Sequence, residues 1–172
     1  MISKMTDRYE QLDSYTRGVV LEREAVYSVI LKESKIDLSE CRFLEIGAGH
    51  GFNVHFFLDS GVQESNCTLI EPDPDRNRSL KKTFPNSVVE LAHFDTSEVD
   101  EKFDIILVSL VLSSVLDVEA RKRLLEGALR MLSSQGHLIV YEFKYDNPSN
   151  KKVKGVPAKF IQDLLPEYSR HK

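Results

Sequence analysis

The chain has 172 residues, 41% apolar and 29% charged, a composition that suits one domain with a single sizeable core. No apolar run approaches the roughly 20 residues of a membrane-spanning helix, and the polar, mixed-charge N-terminus lacks the apolar stretch of a secretory signal. The net charge of -4 hides an asymmetry, because residues 144–172 hold seven Lys/Arg against three acids, a balance of +4 that leaves -8 on the rest.

The first predicted element is an amphipathic helix from Arg17 to Ser34, with Val19/Val20, Val26/Tyr27 and Ile30/Leu31 recurring at helical spacing. Tyr9 and Tyr15 precede it, either as part of a lid over a ligand or in an ordinary core or surface role. Arg42 to Ile46 is a short apolar strand, and Phe52 to Ser60 is a helix that Gly61 stops. Between them runs Gly47-Ala48-Gly49-His50-Gly51, whose alternate glycines let the backbone pass close to a ligand. Thr68 to Glu71 is a second strand, and Asp73-Pro74 opens a helix, aspartate as cap and proline at its first position, that Pro85 ends. Val88 to Leu91 makes a third strand. Phe103 to Leu112 is nearly all apolar and belongs in the sheet centre, covered on both faces. Asp117 caps a helix whose Leu124, Leu125, Ala128, Leu129 and Leu132 form one stripe, ended near Gly136. His137 to Phe143 is a fifth strand. Pro157 opens a last short helix carrying Phe160, Ile161, Leu164 and Leu165, and Pro166 closes it.

Strands alternating with helices argue for an α/β fold, a doubly wound, mostly parallel sheet. Ligands in such sheets lie beyond the carboxyl ends of the strands, at the topological switch point. That rule singles out Gly47 to Gly51, Glu71, His93 to Thr96, Ser109 to Ser114 and Tyr141 to Asn150. Cys41 and Cys67 stand apart, with no Cys-x-x-Cys and no clustered histidines, so free buried thiols are expected and neither a disulfide nor a metal site is. Such thiols suit a cytoplasmic location. The basic stretch after residue 143 reads as a solvated tail or as a positive rim for an anionic substrate. An acidic chain without aromatic-basic interleaving is not expected to bind nucleic acid.

The glycine spacing discriminates between cofactors. A dinucleotide fingerprint, G-x-G-x-x-G, would need its third glycine where this chain has Phe52. The run Glu45-x-Gly47-x-Gly49-x-Gly51 instead resembles motif I of the class I S-adenosylmethionine (SAM)-dependent methyltransferases. Phe103-Asp104-Ile105-Ile106 through Val111-Leu112-Ser113-Ser114-Val115 is similar to that family's fourth-strand segment. Arg130-Met131-Leu132-Ser133-Ser134-Gln135-Gly136-His137-Leu138 is similar to its following helix, turn and fifth strand. The likeness covers Cys41 to Phe143.

The resemblance implies a Rossmann-like methyltransferase fold that binds S-adenosyl-L-methionine and releases S-adenosyl-L-homocysteine. The cofactor residues it implies are Glu45, Gly47, Ala48, Gly49, Gly51, Asn53, Glu71, Pro72, Phe94, Asp95, Thr96, Ser109 and Leu110. Glu71 stands 20 residues after Gly51, where a carboxylate can accept both ribose hydroxyls; the alternative is an acid that helps start the Pro72 to Pro74 turn. Asp95 would take the exocyclic amine of adenine with Phe94 packed on the ring, unless it is a plain loop aspartate. Glu45 orients the glycine loop and reaches towards the methionine amino group, since a buried carboxylate needs partners. No metal is required for this chemistry.

A sulfonium methyl is already activated, so a base helps only where the acceptor must lose a proton. Many small-molecule methyltransferases have histidine where this chain has Ser114, and no other residue stands out as a base. Tyr141 and Glu142, leaving the fifth strand at the catalytic edge, are the candidates for substrate contact. Tyr141-Glu142-Phe143 and Asp146-Asn147-Pro148-Ser149-Asn150 resemble a polysaccharide-biosynthesis-associated subset, which implies a small-molecule or glycan-type acceptor, anionic if the basic stretch binds it. A polar turn stiffened by proline is the alternative. The family sheet has seven strands, and this chain ends at Lys172 before the last two. Either they belong to a longer sequence, or another chain supplies them, or this is a minimal variant whose exposed sheet edge is open to homodimerisation. The division expected is a helical lid segment over 1–40, a SAM-binding core over 41–143, and a basic, incomplete C-terminal turn and helix over 144–172. A non-catalytic module that keeps the cofactor pocket, and more remotely an NAD-dependent oxidoreductase, are the competing functions.

Overall fold

A computed structural model describes residues 9–10, 12–94 and 101–164. The chain divides into two units, one holding helix α1 (Ser14–Ser34) and a larger one, from Asp37 on, holding the sheet. Helix α1 starts three residues before the expected Arg17, because Asp13 accepts hydrogen bonds from the N–H groups of Tyr15 and Thr16. The capping aspartate was readable in the sequence. Its buried side chains, Val20, Arg23, Glu24, Tyr27 and Leu31, recur at helical spacing.

In the larger unit β1 (Phe43–Ile46) leads through the glycine turn into α2 (Phe52–Ser60). There follow β2 (Cys67–Ile70), α3 (Pro74–Thr83), β3 (Val88–Glu90), β4 (Phe103–Ser109), α4 (Val118–Met131), β5 (Leu132–Tyr141) and α5 (Ala158–Leu164). Among the described residues the strands form one five-stranded sheet, all parallel, in the order β3-β2-β1-β4-β5. This is the α/β, Rossmann-like architecture expected. The switch point lies between β1 and β4, whose register pairs Ile46 with Val108.

The two faces of β1 show how the pleat distributes the core. Phe43 and Glu45 point to the α2 side, where Phe43 stacks on Phe57 with centroids 4.3 Å apart. Leu44 and Ile46 point the other way, into a cluster with Ile106, Val108, Leu124, Leu125 and Ala128. Phe160, Ile161 and Leu164 of the expected last helix, α5, pack against that same cluster; Leu165 and Pro166 lie outside the described residues. Asp73 and Asp117 cap α3 and α4 as expected, accepting from Asp75, Arg76 and Ala120 N–H groups.

The boundaries of β4 and β5 also differ from expectation. Strand β4 ends at Ser109 rather than Leu112, because Leu110 takes a left-handed backbone (φ 58°) and Leu112–Ser114 wind into a short 3-10 helix. Strand β5 begins at Leu132 rather than His137 and ends at Tyr141. Helix α4 ends at Met131 rather than near Gly136, and Leu132, expected in its stripe, opens the strand; Ser133 to Gly136 form a bulge, since Phe103 pairs with Leu132 but Ile105 pairs with His137. A Cβ at Gly136 would sit 2.9 Å from the Phe103 carbonyl oxygen, so only glycine lets the bulge press against β4. His137 therefore lies in mid-strand.

Cys41 and Cys67 are buried free thiols, and burial pushes both up to about 12. The folded protein is expected to resist iodoacetamide at pH 8 and to be alkylated at both residues once denaturant is added, as read by intact mass. Rapid labelling of the native chain would contradict this burial. Among the described residues no helix is long and apolar enough to cross a membrane.

Candidate functional site

The glycine turn is built by three different constraints. Gly47, Gly49 and Gly51 all have left-handed φ values, of 72°, 58° and 77°. A Cβ on Gly51 would lie 2.3 Å from the Phe84 ring, so this glycine lets the start of α2 close on the end of α3. A Cβ on Gly47 would strike Val111, 2.5 Å away, in the segment after β4. Gly49 differs: a Cβ there meets nothing within 4 Å, so the space beside the turn is wide enough for a ligand to approach the backbone.

Hydrogen bonds fix the turn to β2. The N–H groups of Gly47 and Ala48 donate to the Ile70 carbonyl at 2.8 and 3.1 Å. Glu71, 3% exposed, accepts from Gly49 N–H at 2.8 Å through Oε2 and from Asp73 N–H at 3.0 Å through Oε1. One side chain thus positions the glycine turn and the start of α3 together. Each carboxylate oxygen retains a second lone pair, so this support leaves acceptor capacity for a ligand. Beneath the turn Asn53 Nδ2 donates to Glu45 Oε1 at 2.7 Å, and both side chains are buried.

Across the switch point Leu110 is held left-handed while its N–H donates to the Tyr141 carbonyl at 2.8 Å. A branched side chain in that conformation costs about 1–3 kcal/mol, which the surrounding hydrogen bonds must offset. Glu142 contributes there: Oε1 accepts from Leu112 N–H at 2.5 Å and Oε2 from Ser113 N–H at 3.3 Å. Burial pushes its carboxyl above the usual range, against the lowering effect of the Ser113 hydroxyl and of backbone N–H groups including these two. Its described contacts therefore cap the 3-10 helix.

A cavity of about 400 Å³ opens between these elements, within the roughly 300–1,000 Å³ of small-molecule sites. Of the predicted cofactor residues, Gly47, Glu71, Pro72, Phe94 and Leu110 line it. Ala48 and Gly49 stand in the turn, Gly51 packs behind it, Glu45 and Asn53 lie beneath it, and Ser109 is buried at the end of β4. Asp95 and Thr96 lie outside the described residues. Phe94 rests on α4 where Gly127 leaves room; a Cβ there would come within 2.6 Å of its ring. His93, Val111 and Ser114, from the stretches the strand ends singled out, line it too, whereas Arg76, Val115 and Leu124 line it without having been expected at a ligand. Arg76 was findable, because a first-turn residue of the helix capped by Asp73 must stand beside the residue that ends β2. Largely apolar walls with a carboxylate at one side and Arg76 beside it suit a molecule that has a flat ring at one end and vicinal hydroxyls next to it.

Residues 20–172 match a family model described as a methyltransferase domain. No curated protein matches the sequence. Among solved structures, an S-adenosylmethionine-dependent methyltransferase from Clostridium acetobutylicum ATCC 824 is 11% identical with a TM-score of 0.63, over 90% of this chain and 87% of that one. The N-methyltransferase NodS from Bradyrhizobium japonicum WM9, in complex with S-adenosyl-L-homocysteine, is 20% identical with a TM-score of 0.61, over 73% and 63%. The sugar N-methyltransferase KedS8 from Streptoalloteichus sp ATCC 53650 is 14% identical with a TM-score of 0.57, over 68% of this chain. The present chain spans 46% of that protein's length. At these identities the likeness is one of fold.

Proposed function

Because the chain belongs to the methyltransferase-domain family, we propose that it transfers a methyl group from S-adenosyl-L-methionine to a small-molecule or glycan-type acceptor, releasing S-adenosyl-L-homocysteine. The observation that carries this reading is Glu71, buried at the cavity wall and hydrogen-bonded to Gly49 in a turn with room beside it. A nucleoside fits such a wall: a carboxylate for the ribose hydroxyls, the Phe94 ring for the adenine, and the glycine turn close to the chain that follows.

When bound, the cofactor supplies a methyl group activated by its sulfonium. The protein's own residues then have a task of positioning. Glu71 accepts the two ribose hydroxyls on the lone pairs that Gly49 and Asp73 leave over. Glu45, braced by Asn53, supports the turn from below and favours the positively charged amino end of the ligand. Pro72, Phe94, Leu110 and Val111 exclude water from the ring and the sulfur-bearing portion. Asp95 and Thr96, assigned to the adenine by the family resemblance alone, lie outside the described residues. Tyr141 and Glu142 stand at the acceptor edge, Glu142 by shaping the 3-10 helix and Tyr141 through the carbonyl that holds Leu110.

Titration calorimetry with SAM, S-adenosylhomocysteine and NAD tests this assignment. Saturable binding of both adenosyl ligands with no response to NAD is expected; folded protein that binds neither would overturn it. A methyl-transfer assay with labelled SAM then separates a catalyst from a domain that only binds.

A further inference from the structure

A second, smaller concavity of about 110 Å³ lies beyond β5, outside the cofactor cavity. Its wall is formed by Ser113, Phe143, Tyr145, Asp146, Asn147 and Lys154. The segment that makes it is held rigidly. Lys154 N–H donates to the Ser113 carbonyl at 2.8 Å, Gly155 N–H to Asp146 Oδ1 at 2.7 Å, and Val156 N–H to the Phe143 carbonyl at 2.7 Å. Arg121, from α4, donates to the carbonyls of Lys154 and Gly155 at 3.0 and 3.3 Å. At Gly155 a Cβ would sit 2.6 Å from the Tyr145 carbonyl carbon, so the two arms of this strap meet backbone to backbone. Such a cleft is formed before any ligand arrives.

Its chemistry is mixed in a particular way. Phe143 and Tyr145 are large aromatics left 51% and 75% exposed, and Lys144 lies 5.1 Å from the Tyr145 ring centroid. Asp146 offers acceptor lone pairs, Lys154 offers donors, and Asn147 keeps its amide NH2 because its oxygen already accepts from Ser149 N–H. A free anion would face Asp146, a free cation would face Lys154, and a purely apolar group would strip water from all three. A hydroxylated ring meets each of them, since every hydroxyl both donates and accepts and the ring's C–H face suits an aromatic surface. The cleft also adjoins the cofactor cavity. Ser113 lines the one and Ser114 the other, so the 3-10 helix contributes to the wall of both.

We infer that this cleft is the acceptor subsite and that it takes a polyhydroxylated six-membered ring of the hexopyranose type. The inference rests on the methyltransferase reading above. Phe143 and Tyr145 form the platform for the ring, while Asp146, Asn147 and Lys154 select its hydroxyl pattern.

The test uses the 15N-labelled protein saturated with S-adenosylhomocysteine, titrated with D-glucose, D-glucosamine and D-glucuronate. Inorganic phosphate and tetramethylammonium serve as charge-only controls. At least one sugar should shift the amides of Ser113, Tyr145, Asn147 and Gly155 saturably, and Tyr145→Ala should weaken that binding about fivefold or more. Asn147→Ala, another surface change, should weaken it in the same direction, and both variants should bind S-adenosylhomocysteine like the parent. Sugars that leave these amides unmoved, or controls that move them equally, would overturn the subsite while leaving cofactor binding intact. Loss of S-adenosylhomocysteine binding by the parent protein would instead overturn the methyltransferase reading and this inference with it.

Discussion

Replacing Glu71 with alanine is expected to lower affinity for S-adenosylhomocysteine by roughly a hundredfold, measured by calorimetry at fixed pH and salt. A pair of charge-assisted hydrogen bonds to ribose contributes about 3 kcal/mol, which converts to that factor. The substitution also removes the acceptors of the Gly49 and Asp73 N–H groups, so the glycine turn loses its tie to β2. Glu71→Gln separates the two effects. Its amide oxygen can hold one N–H donor, but its NH2 group must face the other, so it restores part of the turn and little of the affinity. An alanine variant that binds as tightly as the parent would remove Glu71 from the cofactor site. The thermal midpoint of each variant, taken without ligand, shows how much of any loss comes from the turn.

Arg121→Met should destabilise the fold by about 2–4 kcal/mol, read as a drop of roughly 5–15 °C in melting temperature. Arg121 is 4% exposed, and its guanidinium donates to the Val115 carbonyl at 2.6 Å as well as to those of Lys154 and Gly155. Methionine fills much of the volume and leaves these carbonyls without their shared donor. Lysine should recover less than half, because a single ammonium cannot reach three diverging carbonyls as a planar fork does. The loss should concentrate in the strap, so trypsin should cut at Lys151 and Lys152 faster in the variant than in the parent. Equal melting and equal cleavage would show that the strap holds without this arginine.

Both results bear on how far the sequence could be read. Glu71 and the glycine turn were legible because the signal is local: glycine spacing, a strand before it, and an acid where the next strand ends. Capping residues Asp73 and Asp117 were legible for the same reason, since a short acid ahead of a helix satisfies its first N–H groups. The run from Phe103 to Leu112 was overread. Apolar content alone cannot show that Leu110 turns left-handed, because that conformation is imposed by the β5 carbonyl it bonds and by neighbours far along the chain. Ser133 to Gly136 have the composition of a turn and form a bulge, because β4 lies close enough to pair with residues on either side.

Nothing local in the sequence singles out Arg121, and Glu142 stands out only as a candidate substrate contact at a strand end. In the fold each holds backbone groups some thirty residues away, Arg121 at Lys154 and Gly155, Glu142 at Leu112 and Ser113. Periodicity and glycine sterics act between neighbours along the chain, so the sequence alone determined the order of elements, the parallel α/β class, and the glycine turn and carboxylate beside the cavity. Which side chain satisfies a distant carbonyl, and where two segments close into a cleft, depends on separations in space. The tertiary structure decided those: the double use of Glu71, the arginine-held strap, and the small cleft beside the 3-10 helix.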